Sequence, residues 1–159
     1  MSNEASFSLA YIDGDNIPEL IYHTAVIGHG SGAKVYTYYG GKAVKLTQSG
    51  GWDTFGEWGD ILYQVKGNKF TSQWWGQGAE SIEIYKIQNG IAVEQISMSG
   101  SEWQWEFYVN GIQVSYSEYL ATRKRYGLTG GYYSSYGYNY GRDKNDYSLS
   151  ETNIKAVFG

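Results

Sequence analysis

An all-β fold of repeated antiparallel β-hairpins is what this sequence predicts, and three observations carry the prediction. Seventeen tyrosines, six tryptophans and 22 glycines stand against a single proline, a composition that suits short pleated strands joined by tight turns. Four segments, VYTYYGGKAVKL, ILYQVKGNKFTS, IEIYKIQNGIAVEQI and WQWEFYVNGIQVS, each read as strand, two-residue turn, strand. Their turn pairs, Gly40-Gly41, Gly67-Asn68, Asn89-Gly90 and Asn110-Gly111, tolerate the positive φ that type I′ turns demand. These pairs recur every 21 to 27 residues, each hairpin preceded by a Gly-rich stretch, which is the pattern of an internal repeat.

The elements follow in order. FSLAYI and ELIYHT read as the first hairpin, joined by DGDNIP. The four turn-marked hairpins come next and end at Ser115. A hairpin is marginal alone, so the copies must stack or join edge to edge; a propeller-like fan, a sandwich and a barrel-like wrap all remain open. Ser115 and Glu118 have capping-box spacing, which predicts a short helix to about Arg125. Ser148 and Glu151 repeat that spacing and predict a second, from Glu151 to Val157. Between the two helices lies the Gly/Tyr-rich loop 127–147, with six tyrosines. The 159 residues suffice for one domain, 1–159, with a core of its own.

Sixteen acidic and twelve basic residues give a formal charge of −4. No basic stripe is present to neutralise a row of phosphates, so nucleic acid is not an expected partner. No apolar run approaches the roughly 20 residues of a membrane-spanning helix. The absence of cysteine removes disulfides and thiolate zinc sites and leaves the compartment open.

The stretch YIDGDNIPELIY, Tyr11 to Tyr22, reads in two ways. It can be an Asx-type turn capping the first hairpin with solvated carboxylates. It can also be a calcium loop, in which Asp13, Asp15 and Glu19 offer hard side-chain oxygens and Ile17 its carbonyl. These residues resemble the calcium-loop hairpin of FG-GAP or VCBS-type repeats, found in β-propellers and bacterial surface proteins, and the likeness extends from Ile12 to Leu46. It implies an extracellular or cell-surface setting, with calcium as the cofactor. Tyr11 stands where that family loop carries its first acidic ligand, so any calcium affinity is expected to be weak.

Catalytic motifs are sparse. His23 and His29 match no zinc spacing, and GHGSG places Ser31 one residue too late for a nucleophile elbow. In SEWQWEF, strand alternation would set Glu102, Gln104 and Glu106 on one face and Trp103, Trp105 and Phe107 on the other. That arrangement is either an acidic solvent face over an aromatic core face or, less in keeping with carboxylates about 13 Å apart at Cα, a glycosidase pair.

GGWDTFGEWGD and SQWWGQG place Trp52, Trp58, Trp74 and Trp75 beside Gly-rich turns. Flat rings near polar groups make sugar-stacking platforms, with Gln73, Gln77 and Glu57 as hydrogen-bonding neighbours; the same rings could instead fill a small β core. As a strand, this stretch must point Trp74 and Trp75 to opposite faces. The expectation is a non-enzymatic extracellular binding or adhesion module for a glycan or protein ligand, weakly calcium-stabilised. A purely structural domain of a larger surface protein and a glycan-active enzyme are the alternatives.

Overall fold

The computed structural model describes residues 5–23, 32–56, 61–101, 103–128 and 147–148. Among them lie eleven strands and one helix. In chain order the strands are β1 (Ser6–Ala10), β2 (Glu19–His23), β3 (Ala33–Tyr39), β4 (Lys42–Lys45), β5 (Ile61–Gln64), β6 (Lys69–Gly76), β7 (Ala79–Gln88), β8 (Ile91–Ser101), β9 (Glu106–Val109) and β10 (Ile112–Val114). The helix α1 (Tyr116–Arg125) and strand β11 (Tyr147–Ser148) follow.

The strands form two open antiparallel sheets, ordered β11-β1-β2-β3-β4 and β10-β9-β8-β7-β6-β5. Neither closes, which sets aside the barrel-like wrap. The expected hairpins are consecutive rungs of two meanders. Gly40-Gly41, Asn89-Gly90 and Asn110-Gly111 all take positive φ at two-residue turns. Gly67-Asn68 departs from expectation: β5 and β6 are joined by four residues, with Lys66 and Asn68 at positive φ. The wider turn frees the Lys66 and Asn68 amides to donate to the carbonyls of Tyr11 and Ile12, at 2.7 and 2.8 Å. The turn of the second sheet is thereby fastened to the opening loop of the first.

Two cores make three layers. Ile21 and Val35 of the first sheet meet Phe70, Tyr85 and Ile87 of the second, with Phe55 among them. Phe55 packs edge-on against Phe70 and Tyr85. The other face of the second sheet, with Ile82, Ile84, Ile96, Met98 and Phe107, packs on Tyr119 of α1 and on Leu128. One extra residue makes this possible. Ile84 faces Ile96 and Tyr85 faces Glu94, so Gln95 is bulged out of β8. The bulge inverts the alternation, and β8 gives Ala92 to the first core and Ile96 and Met98 to the second.

The Ser115 hydroxyl accepts from the Glu118 amide and the Glu118 carboxylate accepts from the Ser115 amide, so the expected capping box starts α1. The predicted helix Glu151–Val157 and residues 129–146 of the Gly/Tyr-rich loop lie outside the described residues.

Candidate functional site

The expected calcium ligands divide between two environments. Asp13 Oδ1 accepts from the Asp15 amide at 2.9 Å, and Asp15 Oδ1 accepts from the Ile17 amide at 2.7 Å. Both are Asx-turn bonds. Glu19 instead turns into the protein, where it is 1% exposed. Its Oε2 accepts from the Ile12 amide and its Oε1 from the Thr37 hydroxyl, at 2.9 and 3.0 Å. Burial pushes its carboxyl above the ordinary range, against the pull of those bonds. The loop is clasped further by Lys66, whose ammonium donates to Asn16 Oδ1 and lies over the Tyr11 ring. Among the described residues, no three His, Asp or Glu side chains converge on one point.

The residues of the expected aromatic platform are described only in part. Trp52 is 73% exposed in the segment after β4. Beside it Asp53 is held well below the usual carboxylate range by ion pairs with Lys34 and Lys45. Gln73 is 2% exposed, on the face of β6 that α1 covers, and is therefore no surface partner for Trp52. Gln77 is exposed in the β6–β7 turn. Trp58, Glu57 and the side chain of Trp75 lie outside the described residues, as do His29, Ser31 and Glu102.

Residues 103–105 of SEWQWEF turn ahead of β9, which corrects the expected alternation of Gln104 and Glu106 against Trp103, Trp105 and Phe107. Trp105 there takes φ 54°. Only Phe107 enters the core; Trp103 and Trp105 are 76% and 64% exposed. Trp105 leans on Phe107 and Tyr116. Trp103 lies on Gly78, where an added Cβ would stand 2.5 Å from its Nε1.

Strand register gathers a site that these separate readings do not contain. Trp74 of β6 is opposite Ser81 of β7, Ser81 is opposite Ser99 of β8, and Ser99 is opposite Tyr108 of β9. Direct partners share a face, so the four side chains form one row across the sheet. It lies on the face that bears Phe70 and Tyr85, beyond the reach of that core. Two rings thus flank two serines, with the ring-bearing Cα atoms three strand spacings, roughly 14 Å, apart. Trp74 leans along β6 over Gly76, whose missing Cβ would be 3.6 Å from the indole. All four residues are half-buried.

Acidic residues stand in the rows on either side. In one, Glu83 lies between Ser72 and Ser97. Its carboxylate accepts from the Ser81 hydroxyl at 2.9 Å. Burial pushes the Glu83 carboxyl up, the Ser81 and Ser72 hydroxyls oppose this, and Glu94 adds to it. In the other row Glu106 is opposite Ser101 and accepts from the Tyr108 hydroxyl at 3.0 Å, which raises the phenol's pKa. Among the described residues, the register makes a trough with aromatic walls, a serine floor and a carboxylate at each end. The residues overlooked in the sequence are Ser81, Glu83, Ser99 and Tyr108. Their signal is register, which requires the Gln77-Gly78 turn to be recognised first.

Comparison with family models, curated proteins and solved structures finds no match to this chain. The resemblance to FG-GAP or VCBS-type repeats therefore rests on Ile12 to Leu46 alone.

Proposed function

We propose that this protein is a non-enzymatic binding module that holds a saccharide in the Trp74–Tyr108 trough. The observation that supports it is the cross-strand row itself. Two rings rise on either side of residues too small to fill the space between them. A sugar's apolar face packs on such rings while hydroxyl and carboxylate groups bond its rim. Glu83 and Glu106 stand two strands and four residues apart, roughly 16 Å at Cα, with their carboxylates bonded to the Ser81 and Tyr108 hydroxyls on either side of the row. The cell exterior is the proposed setting, and this part rests only on the likeness of Ile12 to Leu46.

The test is retention on a glycan array and calorimetry for the intact chain, Trp74→Ala and Tyr108→Ala. Both variants are expected to keep a near-native melting temperature and to lose binding at least tenfold. The reading is wrong if the intact chain retains no glycan, or if both variants bind as the intact chain does.

A further inference from the structure

We propose that the saccharide taken by the trough bears a protonated amine, an inference that rests on the saccharide reading above. Among the side chains that β6 to β9 present around the Trp74–Tyr108 row, the charged ones are Glu83 and Glu106, and neither strand neighbour of Glu83, Ser72 or Ser97, is cationic. Glu94, opposite Tyr85 further along the face, adds a third charge of the same sign.

The Glu83 carboxylate is half-buried on serine hydroxyls, and among the described residues no cation pairs with it. A charge withdrawn from water is costly unless an opposite charge meets it. An ammonium group on the ligand supplies that charge. The same group is attracted to the faces of Trp74 and Tyr108 when it lies within about 6 Å of a ring. An acidic sugar would meet two carboxylates and, among the described residues of β6 to β9 around the row, no counter-charge. A neutral sugar would donate hydroxyls to Glu83 but bring no opposite charge to it. The trough thus sorts sugars by charge, with the rings binding the skeleton and Glu83 selecting the amine.

A β-linked glucosamine oligomer and its fully N-acetylated counterpart share a skeleton and differ in this charge, and calorimetry of both on the intact chain tests the inference. The amine form is expected to bind about tenfold tighter or more, since a hydrogen bond to an ionised group contributes more than a neutral one. Glu83→Gln should bring the two forms level, and Trp74→Ala should weaken both. A second measurement does not depend on any variant: raising ionic strength should weaken the amine form and leave the acetylated form unchanged. Equal or tighter binding of the acetylated form overturns the charge selection and leaves the saccharide reading standing. If the intact chain binds neither form nor any glycan on the array, both fall together.

Discussion

Arg123 of α1 and Glu80 of β7 are paired through Nη1 and Oε1 in the interior, with both residues buried and the Tyr119 hydroxyl donating to the same carboxylate oxygen. The pair fixes the helix to the sheet at one point along its length. Burial, together with contact with that carboxylate, drives the Tyr119 phenol far above its ordinary pKa. Removing one partner breaks a buried, hydrogen-bonded charge pair, so Glu80→Ala should cost about 3 to 5 kcal/mol. Replacing both by apolar residues, Glu80→Met with Arg123→Met, should recover much of that loss. Urea denaturation of the singles and the double measures it, and additive losses would show the two residues to be energetically independent.

Glu19 gives the fold a dependence on acidity. Its native carboxyl titrates above the ordinary 4.5, so the folded state holds the proton more tightly than the unfolded chain. Protonation therefore favours folding, and this contribution fades as pH rises from 4.5 through the native value. Relative to Glu19→Gln, the parent chain should gain stability as pH falls through that window, with the gain complete below 4.5. Glu19→Ala should be much worse than Glu19→Gln at every pH, because it strands the Ile12 amide in the interior at about 1 to 3 kcal/mol. Thermal melts of the three proteins between pH 4 and 7 decide the matter.

Asn68, in the β5–β6 turn, joins β7 and the loop after β1. Its side chain exchanges hydrogen bonds with the amide and carbonyl of Ile87, at 2.7 and 3.0 Å, while its own amide reaches Ile12. Asn68→Ala should cost about 2 to 4 kcal/mol, from an unpaired Ile87 amide and from alanine at φ 49°. Asn68→Gly relieves only the backbone part. If the glycine variant melts like the parent chain, the side-chain bonds contribute nothing.

Gly78 is tested by one methyl group. At φ 72°, with Trp103 Nε1 2.5 Å from the site of a Cβ, Gly78→Ala should destabilise by about 1 kcal/mol or more. It should also displace the Trp103 indole. Unchanged tryptophan fluorescence together with an unchanged melting temperature would refute the contact.

What the sequence disclosed, it disclosed through short-range chemistry. Gly40-Gly41, Asn89-Gly90 and Asn110-Gly111 announce their turns because few other residues accept those dihedrals, and Ser115 with Glu118 announces a helix start. The alternation of Ile82, Ile84 and Ile87 marks β7 as a strand with two covered faces only once both cores are known. Trp105 in a left-handed conformation contradicts its own preference, and a reading by alternation necessarily makes it a strand residue. Arg123 looks like one more charge in a basic helix end until Glu80, 43 positions earlier, is placed beneath it. The trough was out of reach for the same reason: Trp74 and Tyr108 share a row only through three hairpin registers, and an error at any one turn moves them to different rows.

The bulge at Gln95 has a consequence for how the molecule comes apart. Because the single strand β8 supplies Ala92 to one core and Ile96 and Met98 to the other, neither layer can open without loosening a strand that the other also needs. Slow amide exchange should therefore report one shared opening free energy on both sides of the bulge, at Ala92 and at Met98, and the two cores should behave as a single cooperative unit.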